Sequence, residues 1–235
     1  MANSYFRFKQ FVVNQDKTAM KVGTDGVLLG ALTNICYEPA QILDIGTGTG
    51  LVALMLAQRF ENSEIDAVEI DTEASEQALS NFNLSPFANR LSVINIDISD
   101  YTPKKKYNLI VSNPPYFVNS LKASDKQRTM ARHTDSLSFS ALAVAVRRLL
   151  APDGKCYIII PVDAYDNVVD IFYCNQLYAQ QAIFVSHNAN KKPKRVVVSF
   201  ADKQCSGVQK SELYIEKYPG IYSDEFKRLV EPFYL

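Results

Sequence analysis

From residue 41 onward, short apolar runs alternate with stretches whose apolar residues recur at helical spacing. Ile42 to Ile45 reads as a buried strand, followed by a glycine-rich turn and a helical run from Leu51 to Phe60. Ile65 to Ile70 is a second strand. Asp71 then has the side chain and position of an N-cap for a helix to about Leu84, with Glu73 and Glu76 near its positive end. Leu91 to Ile96 and Tyr107 to Ser112 predict strands three and four. Leu137, Leu142, Val146 and Leu149 mark a helix that stops at Pro152-Asp153-Gly154. Lys155 to Pro161 predicts a strand and Asp163 to Cys174 a helix. Gln181 to Ser186 and Arg195 to Phe200 predict two closing strands joined by a basic loop.

Strands that alternate with helices predict an α/β fold with a doubly wound, mostly parallel sheet. Seven strands are expected. The short loop between the last two makes one of them an antiparallel edge strand. In such sheets ligands lie beyond the carboxyl ends of the strands. Before residue 41, Phe6-Arg7-Phe8-Lys9 alternates like a strand and Val27 to Ile35 reads as a helix. The tail offers a short strand at Leu213 to Ile215 and an amphipathic helix at Asp224 to Val230. The expected organisation is an N-terminal segment, 1–40, and a catalytic domain, 41–235, forming one compact unit.

Composition changes this picture little. Of 235 residues, 47% are hydrophobic and 21% charged, which is ordinary for a globular chain with a sizeable core. The 25 basic and 25 acidic residues cancel, so net charge points to no partner. Local charge says more: Lys104-Lys105-Lys106, Lys191-Lys192-Pro193-Lys194-Arg195, and the pair Arg128 and Arg132 are candidate phosphate contacts, although such runs also occur as solvated turns. Cys36, Cys156, Cys174 and Cys205 are widely spaced and only two histidines are present, so no metal site is expected. With no leader pattern and no membrane-length apolar run, a cytoplasmic protein without a membrane partner is expected.

The candidate chemistry lies at two strand ends. Leu43-Asp44-Ile45-Gly46-Thr47-Gly48-Thr49-Gly50 lets the backbone turn tightly and lets a ligand approach where no Cβ intervenes. Alone, it fits a nucleotide ligand or a plain strand-to-helix turn. The dinucleotide fingerprint wants a glycine where Leu51 stands, which argues against a nicotinamide cofactor, and the absence of Gly-Lys-Ser/Thr excludes a P-loop. Glu69 ends strand two, placed to accept from two ribose hydroxyls. Asp97 ends strand three and can accept from an adenine amino group, with Ile70 and Ile98 on either side of the ring. Asp44 can face an ammonium group or its water shell. This combination resembles the S-adenosylmethionine (SAM) motifs of class I methyltransferases, whose Rossmann-like fold it implies.

Asn113-Pro114-Pro115-Tyr116 follows strand four. An exocyclic amino nitrogen is a poor nucleophile because its lone pair is delocalised. The neutral Asn113 oxygen and the Pro114 carbonyl can accept its two N–H bonds and draw it toward tetrahedral geometry. Pro114 and Pro115 stiffen these acceptors, and Tyr116 offers a stacking face. The motif resembles the NPPY signature of methyltransferases acting on adenine, cytosine or glutamine amino groups, and does not choose among them.

The whole chain resembles the bacterial tRNA1(Val) adenine-N6-methyltransferases. The resemblance is carried by Phe8-Lys9-Gln10-Phe11, Met20 to Gly30, Leu43 to Gly50, Leu54 to Arg59, Ile110 to Tyr116, Gln127-Arg128, Ala131-Arg132, Lys194 to Phe200 and Phe233-Tyr234-Leu235. It implies SAM as cofactor, adenine-37 of a tRNA anticodon stem-loop as target, and residues Lys21 to Asp25, with Lys21 and Thr24 in the cofactor set, closing over the methionine part of SAM. Phosphates would be held by Arg128, Arg132, Lys191, Lys192, Lys194 and Arg195, with a monomer acting alone. The rivals are glutamine N5-methylation of a release factor, disfavoured by the roughly 40 residues before strand one where a helical substrate domain would stand, and a SAM-binding RNA protein without catalysis.

Overall fold

A computed structural model of the chain describes residues 4–18, 21–115 and 137–235. A hairpin of β1 (Tyr5–Arg7) and β2 (Val12–Asn14) precedes α1 (Thr24–Leu32). Then follow β3 (Gln41–Ile45), α2 (Leu51–Arg59), β4 (Glu64–Glu69), α3 (Thr72–Asn83), β5 (Leu91–Asn95) and β6 (Tyr107–Ser112). The chain continues with α4 (Phe139–Leu149), β7 (Leu150–Pro161), α5 (Tyr165–Cys174), β8 (Tyr178–Ser186), β9 (Arg195–Ala201) and β10 (Gln209–Tyr214). A small hairpin, β11 (Glu216–Tyr218) with β12 (Ile221–Tyr222), and α6 (Asp224–Val230) close the chain.

The main sheet has the order β10-β8-β9-β7-β6-β3-β4-β5. It is mostly parallel, as expected, but holds eight strands rather than seven. The additional strand, β10, pairs parallel to β8 from Gln209↔Gln181 to Tyr214↔Ser186. The antiparallel member is β9, paired with both β7 and β8, and so it lies inside the sheet rather than at its edge. The short strand expected at Leu213 to Ile215 catches only the end of β10; its earlier part escapes the sequence pattern because Gln209, Lys210, Ser211 and Glu212 are exposed and only Leu213 is buried. An edge strand with polar residues on both faces carries no apolar alternation.

Alternation along the central strands sends side chains into two cores. Ile42, Leu109, Val111, Tyr157 and Val197 pack with α1, α2, α3, α6 and the hairpin residues Phe8, Phe11 and Val13. Leu43, Ile45, Ile110, Ile158 and Val198 pack with α4 and α5 on the other face. The N-terminal stretch belongs to the first core. The Asn81 amide donates to the Asn14 and Thr49 carbonyls at 2.9 and 2.8 Å and accepts from the Asn14 N–H. Gln77 accepts from Lys17 N–H, and Lys9 N–H donates to Phe233 O at 2.8 Å, joining both chain ends. Two lysines of the 104–106 run have structural partners: Lys105 pairs with Asp66 at 2.9 Å and Lys106 donates to the Arg148 carbonyl.

Candidate cofactor and substrate site

Parallel strands β3, β4, β5 and β6 end at one rim, and residues at or just after their ends line a cavity of about 480 Å³. Gly46, Gly48, Glu69, Ile70, Asp97 and Ile98 line it, together with Asn113 and Pro115. Its size is that of a small-molecule site. Unanticipated wall residues are Lys17 and Thr18 from the N-terminal stretch, Asp71 and Glu73 at the start of α3, Ser99, and Leu137, Ser138 and Ala141 at the start of α4.

All three turn glycines are left-handed, with φ of 71° at Gly46, 56° at Gly48 and 82° at Gly50. Their surroundings differ. A Cβ on Gly46 or Gly48 would meet nothing within 4 Å, and both residues line the cavity, so the turn presents bare backbone to a ligand. A Cβ on Gly50 would lie 2.5 Å from the Phe82 ring, and Gly50 is not part of the lining. The third glycine therefore answers to packing.

Glu69 is only 9% exposed, and its carboxylate is pinned by two backbone donors: Gly48 N–H at 2.8 Å and Asp71 N–H at 3.1 Å. Each oxygen keeps acceptor capacity for a ligand hydroxyl. Asn95 stitches β5 to β4 by donating to the Glu69 and Ile70 carbonyls at 2.8 and 3.1 Å. Asp97 turns the chain by accepting Ser99 N–H at 2.7 Å. Across the rim, the buried Ser112 hydroxyl donates to Ile45 O at 2.8 Å. That bond holds the end of β6 against the glycine turn and brings Asn113 to the same cavity. Pro114 is buried behind Asn113 and Pro115.

Four of the expected cofactor residues stand outside the lining: Lys21 and Thr24 are exposed, and Asp44 and Gly50 are buried. Asp44 lies under the turn, accepting from the Thr47 hydroxyl at 2.7 Å and from Ala53 N–H. Burial pushes its carboxyl up to about 7, opposed by those two bonds and aided by the nearby Glu69 charge. The Asp-x-x-Thr spacing from Asp44 to Thr47 was the available signal for this inward role. The sign follows from an unfolded value of 3.8 lying below the folded one. The associated stability is full below pH 4 and is lost as pH rises toward 7, by an amount on the order of a few kcal/mol. Melting measured from pH 4 to 7 should therefore decline more in the parent than in Asp44→Asn; parallel curves would refute the shift.

Of the proposed RNA contacts, Lys191, Lys192 and Lys194 are exposed on the loop between β8 and β9. Because β8 runs parallel to β3 and β6, this loop emerges at the rim that carries the cavity. Arg195 is engaged elsewhere, its Nε donating to Asp25 in α1 at 2.8 Å. On the loop's other side His187 lies 3.1 Å from Glu216. Tyr116, Arg128 and Arg132 fall outside the described residues. Among the described residues no helix is long and apolar enough to cross a membrane.

The family model for the methyltransferase small domain matches residues 17–162. A tRNA1(Val) (adenine(37)-N6)-methyltransferase of Parabacteroides distasonis is 46% identical, covering 100% of this chain and 99% of its own length. One of the same description from Bacteroides fragilis is 47% identical with the same coverage. Among solved structures, one described as a predicted O-methyltransferase from Agrobacterium tumefaciens superposes with a TM-score of 0.68 at 17% identity, covering 89% of this chain and 96% of that one. It shares the fold.

Proposed function

The chain belongs to the tRNA1(Val) (adenine(37)-N6)-methyltransferases, and from that premise we propose that it methylates the 6-amino group of adenine-37 in tRNA1(Val), using SAM. The observation that carries this reading is one shared cavity: Asn113 and Pro115 open onto the same space as the bare glycine backbone and Glu69. The residues fit the cofactor, since Gly46 and Gly48 leave room where a Cβ would project, and the lining carboxylates Glu69 and Asp97 can accept from ribose hydroxyls and an adenine amino group. When bound, SAM supplies a methyl group already activated on a sulfonium.

The protein's own part is positioning. Asn113 Oδ1 and the Pro114 carbonyl accept the two N–H bonds of the target amino group and turn its lone pair toward the methyl group. Held at the end of β6 by Ser112, they need little reorganisation as the substrate enters. The nitrogen's proton leaves to water after transfer. Tyr116 is the proposed stacking face for the adenine. Glu69 holds the ribose, and Asp97 with Ile70 and Ile98 holds the adenine of the cofactor. Asp44 and Gly50 serve from beneath by shaping the turn. Lys21, just before α1, and Thr24, its first residue, close over the methionine end.

Extrusion of an adenine from an anticodon loop costs only a few kcal/mol because such loops are partly unstacked. Lys191, Lys192 and Lys194, with Arg128 and Arg132, would hold the flanking phosphates, and Arg195 would fix the loop's base through Asp25. Such a substrate places the protein in the cytoplasm. The double charge reversal Lys192→Glu with Lys194→Glu should weaken tRNA binding and flatten the dependence of log K on log salt by about two. SAM affinity should be unchanged; an unaltered salt slope would make the loop a bystander.

The direct test is incubation with methyl-labelled SAM, unmodified total tRNA and, in parallel, a release factor. Digestion should return label as N6-methyladenosine from valine tRNA. Label on a glutamine of the release factor instead would overturn the proposal.

A further inference from the structure

Arg148 stands in the last turn of α4 and reaches the loop after β5. Its Nη1 donates to the Tyr101 carbonyl at 2.5 Å, and its Nη2 to the Ile98 carbonyl at 2.8 Å with a longer contact to Ser99 O at 3.4 Å. The same loop presents Asp97 and Ile98 to the cavity. The opposite end of α4 presents Ser138 and Ala141 to it. One guanidinium that does not itself line the cavity thus joins two of its walls. Underneath, the Tyr101 hydroxyl donates to Asp66 Oδ2 at 3.0 Å and lies 2.6 Å from the Tyr107 hydroxyl, so the loop's far end is tied to β4 and β6 as well. A planar cation with a fork of donors can serve two carbonyls at once, which an ammonium cannot do with the same rigidity.

From this juxtaposition we infer that Arg148 is a positioning residue for the adenine end of the cofactor, an inference that rests on the reading of the cavity as the SAM site. With Arg148 in place, the carbonyls of Ile98 and Tyr101 are satisfied and the Asp97–Ile98 wall stands ready for a ring. Without it, the loop must be ordered when the ligand arrives, and that ordering is subtracted from affinity. The loss falls on any ligand that carries adenine, whether or not it carries methionine. Transfer at saturating SAM is spared, because Arg148 touches neither Asn113 nor the rim of β6 in the bonds it makes.

The experiment compares parent, Arg148→Ala and Arg148→Lys in titrations with SAM and with 5′-methylthioadenosine, which keeps adenine and ribose but lacks the amino-acid end. Arg148→Ala should weaken both ligands by about tenfold or more, raising KM for SAM while kcat and tRNA affinity stay within about twofold. Arg148→Lys, able to reach one carbonyl, should recover part of that loss. Parental affinity for methylthioadenosine in Arg148→Ala overturns the inference, as does a variant that loses kcat and tRNA affinity but not SAM binding. Should Arg148→Ala lack a cooperative melt, Arg148→Lys decides: about threefold weaker methylthioadenosine binding supports the inference and parental binding overturns it. Failure of the parent to bind SAM would instead overturn the reading of the cavity.

Discussion

Asn113→Ala is expected to abolish methyl transfer while leaving SAM affinity within about twofold of the parent. The target amino nitrogen can attack only while its lone pair is out of conjugation, and the Asn113 carboxamide is the side-chain acceptor proposed to hold it so. Loss of one preorganised polar group of this kind costs about 10²–10³ in kcat. The loss here should reach at least that figure, since the Pro114 carbonyl alone cannot hold two N–H bonds. The proposed cofactor contacts sit elsewhere in the cavity lining, at Gly46, Gly48, Glu69 and Asp97, so calorimetric titration of SAM should scarcely change. Asn113→Asp provides the control for charge: the acceptor remains, but a carboxylate beside the sulfonium competes electrostatically for the methyl group. It should recover only part of the rate. A fall in SAM affinity for Asn113→Ala that matches its fall in rate would move Asn113 into the cofactor site and remove the chemistry proposed for it.

Much of this site was legible in the sequence because its parts stand at ends of apolar runs. Strand-end position alone brought Glu69, Asp97 and Asn113 to one rim, since parallel strands in a wound sheet share their carboxyl edge. The direction in which a side chain points at such an end was not legible. Asp44 and Glu69 both follow apolar residues, yet Glu69 faces the cavity and Asp44 turns under the loop to Thr47. Contacts between distant residues were also hidden. Arg195 looks like part of a basic run until it is seen paired with Asp25, 170 positions away. Lys17 and Thr18 reach the cavity because Asn81 and Gln77 clasp the N-terminal stretch to α3, and no local pattern announces such a clasp. For β10 the physics is different: its exposed polar residues satisfy an edge, where pairing is set by the backbone rather than by apolar burial.

The glycine turn shows how one motif can contain two physical demands, and substitution should separate them. Gly50→Ala is expected to lower stability by about 2–5 kcal/mol, combining about 1–2 for a side chain forced into the left-handed region with about 1–3 for overpacking. The collision is with the Phe82 ring at 2.5 Å, inside a core where Phe82 is 1% exposed and has little room to retreat. In a chain of this size the melting temperature should fall by roughly 5–15 °C. Gly48→Ala should behave differently. Its φ of 56° brings the conformational cost, but its Cβ enters open space, so stability should drop by only about 1–2 kcal/mol. The added methyl would instead stand in the cavity and weaken SAM. Combining Gly50→Ala with Phe82→Leu supplies the decisive comparison. Relief of the clash should make the double variant more stable than the sum of the two single losses, because the residues touch and their effects are not additive. Strict additivity, or a Gly50→Ala protein that melts like the parent but no longer binds SAM, would assign this glycine to the ligand and not to the core.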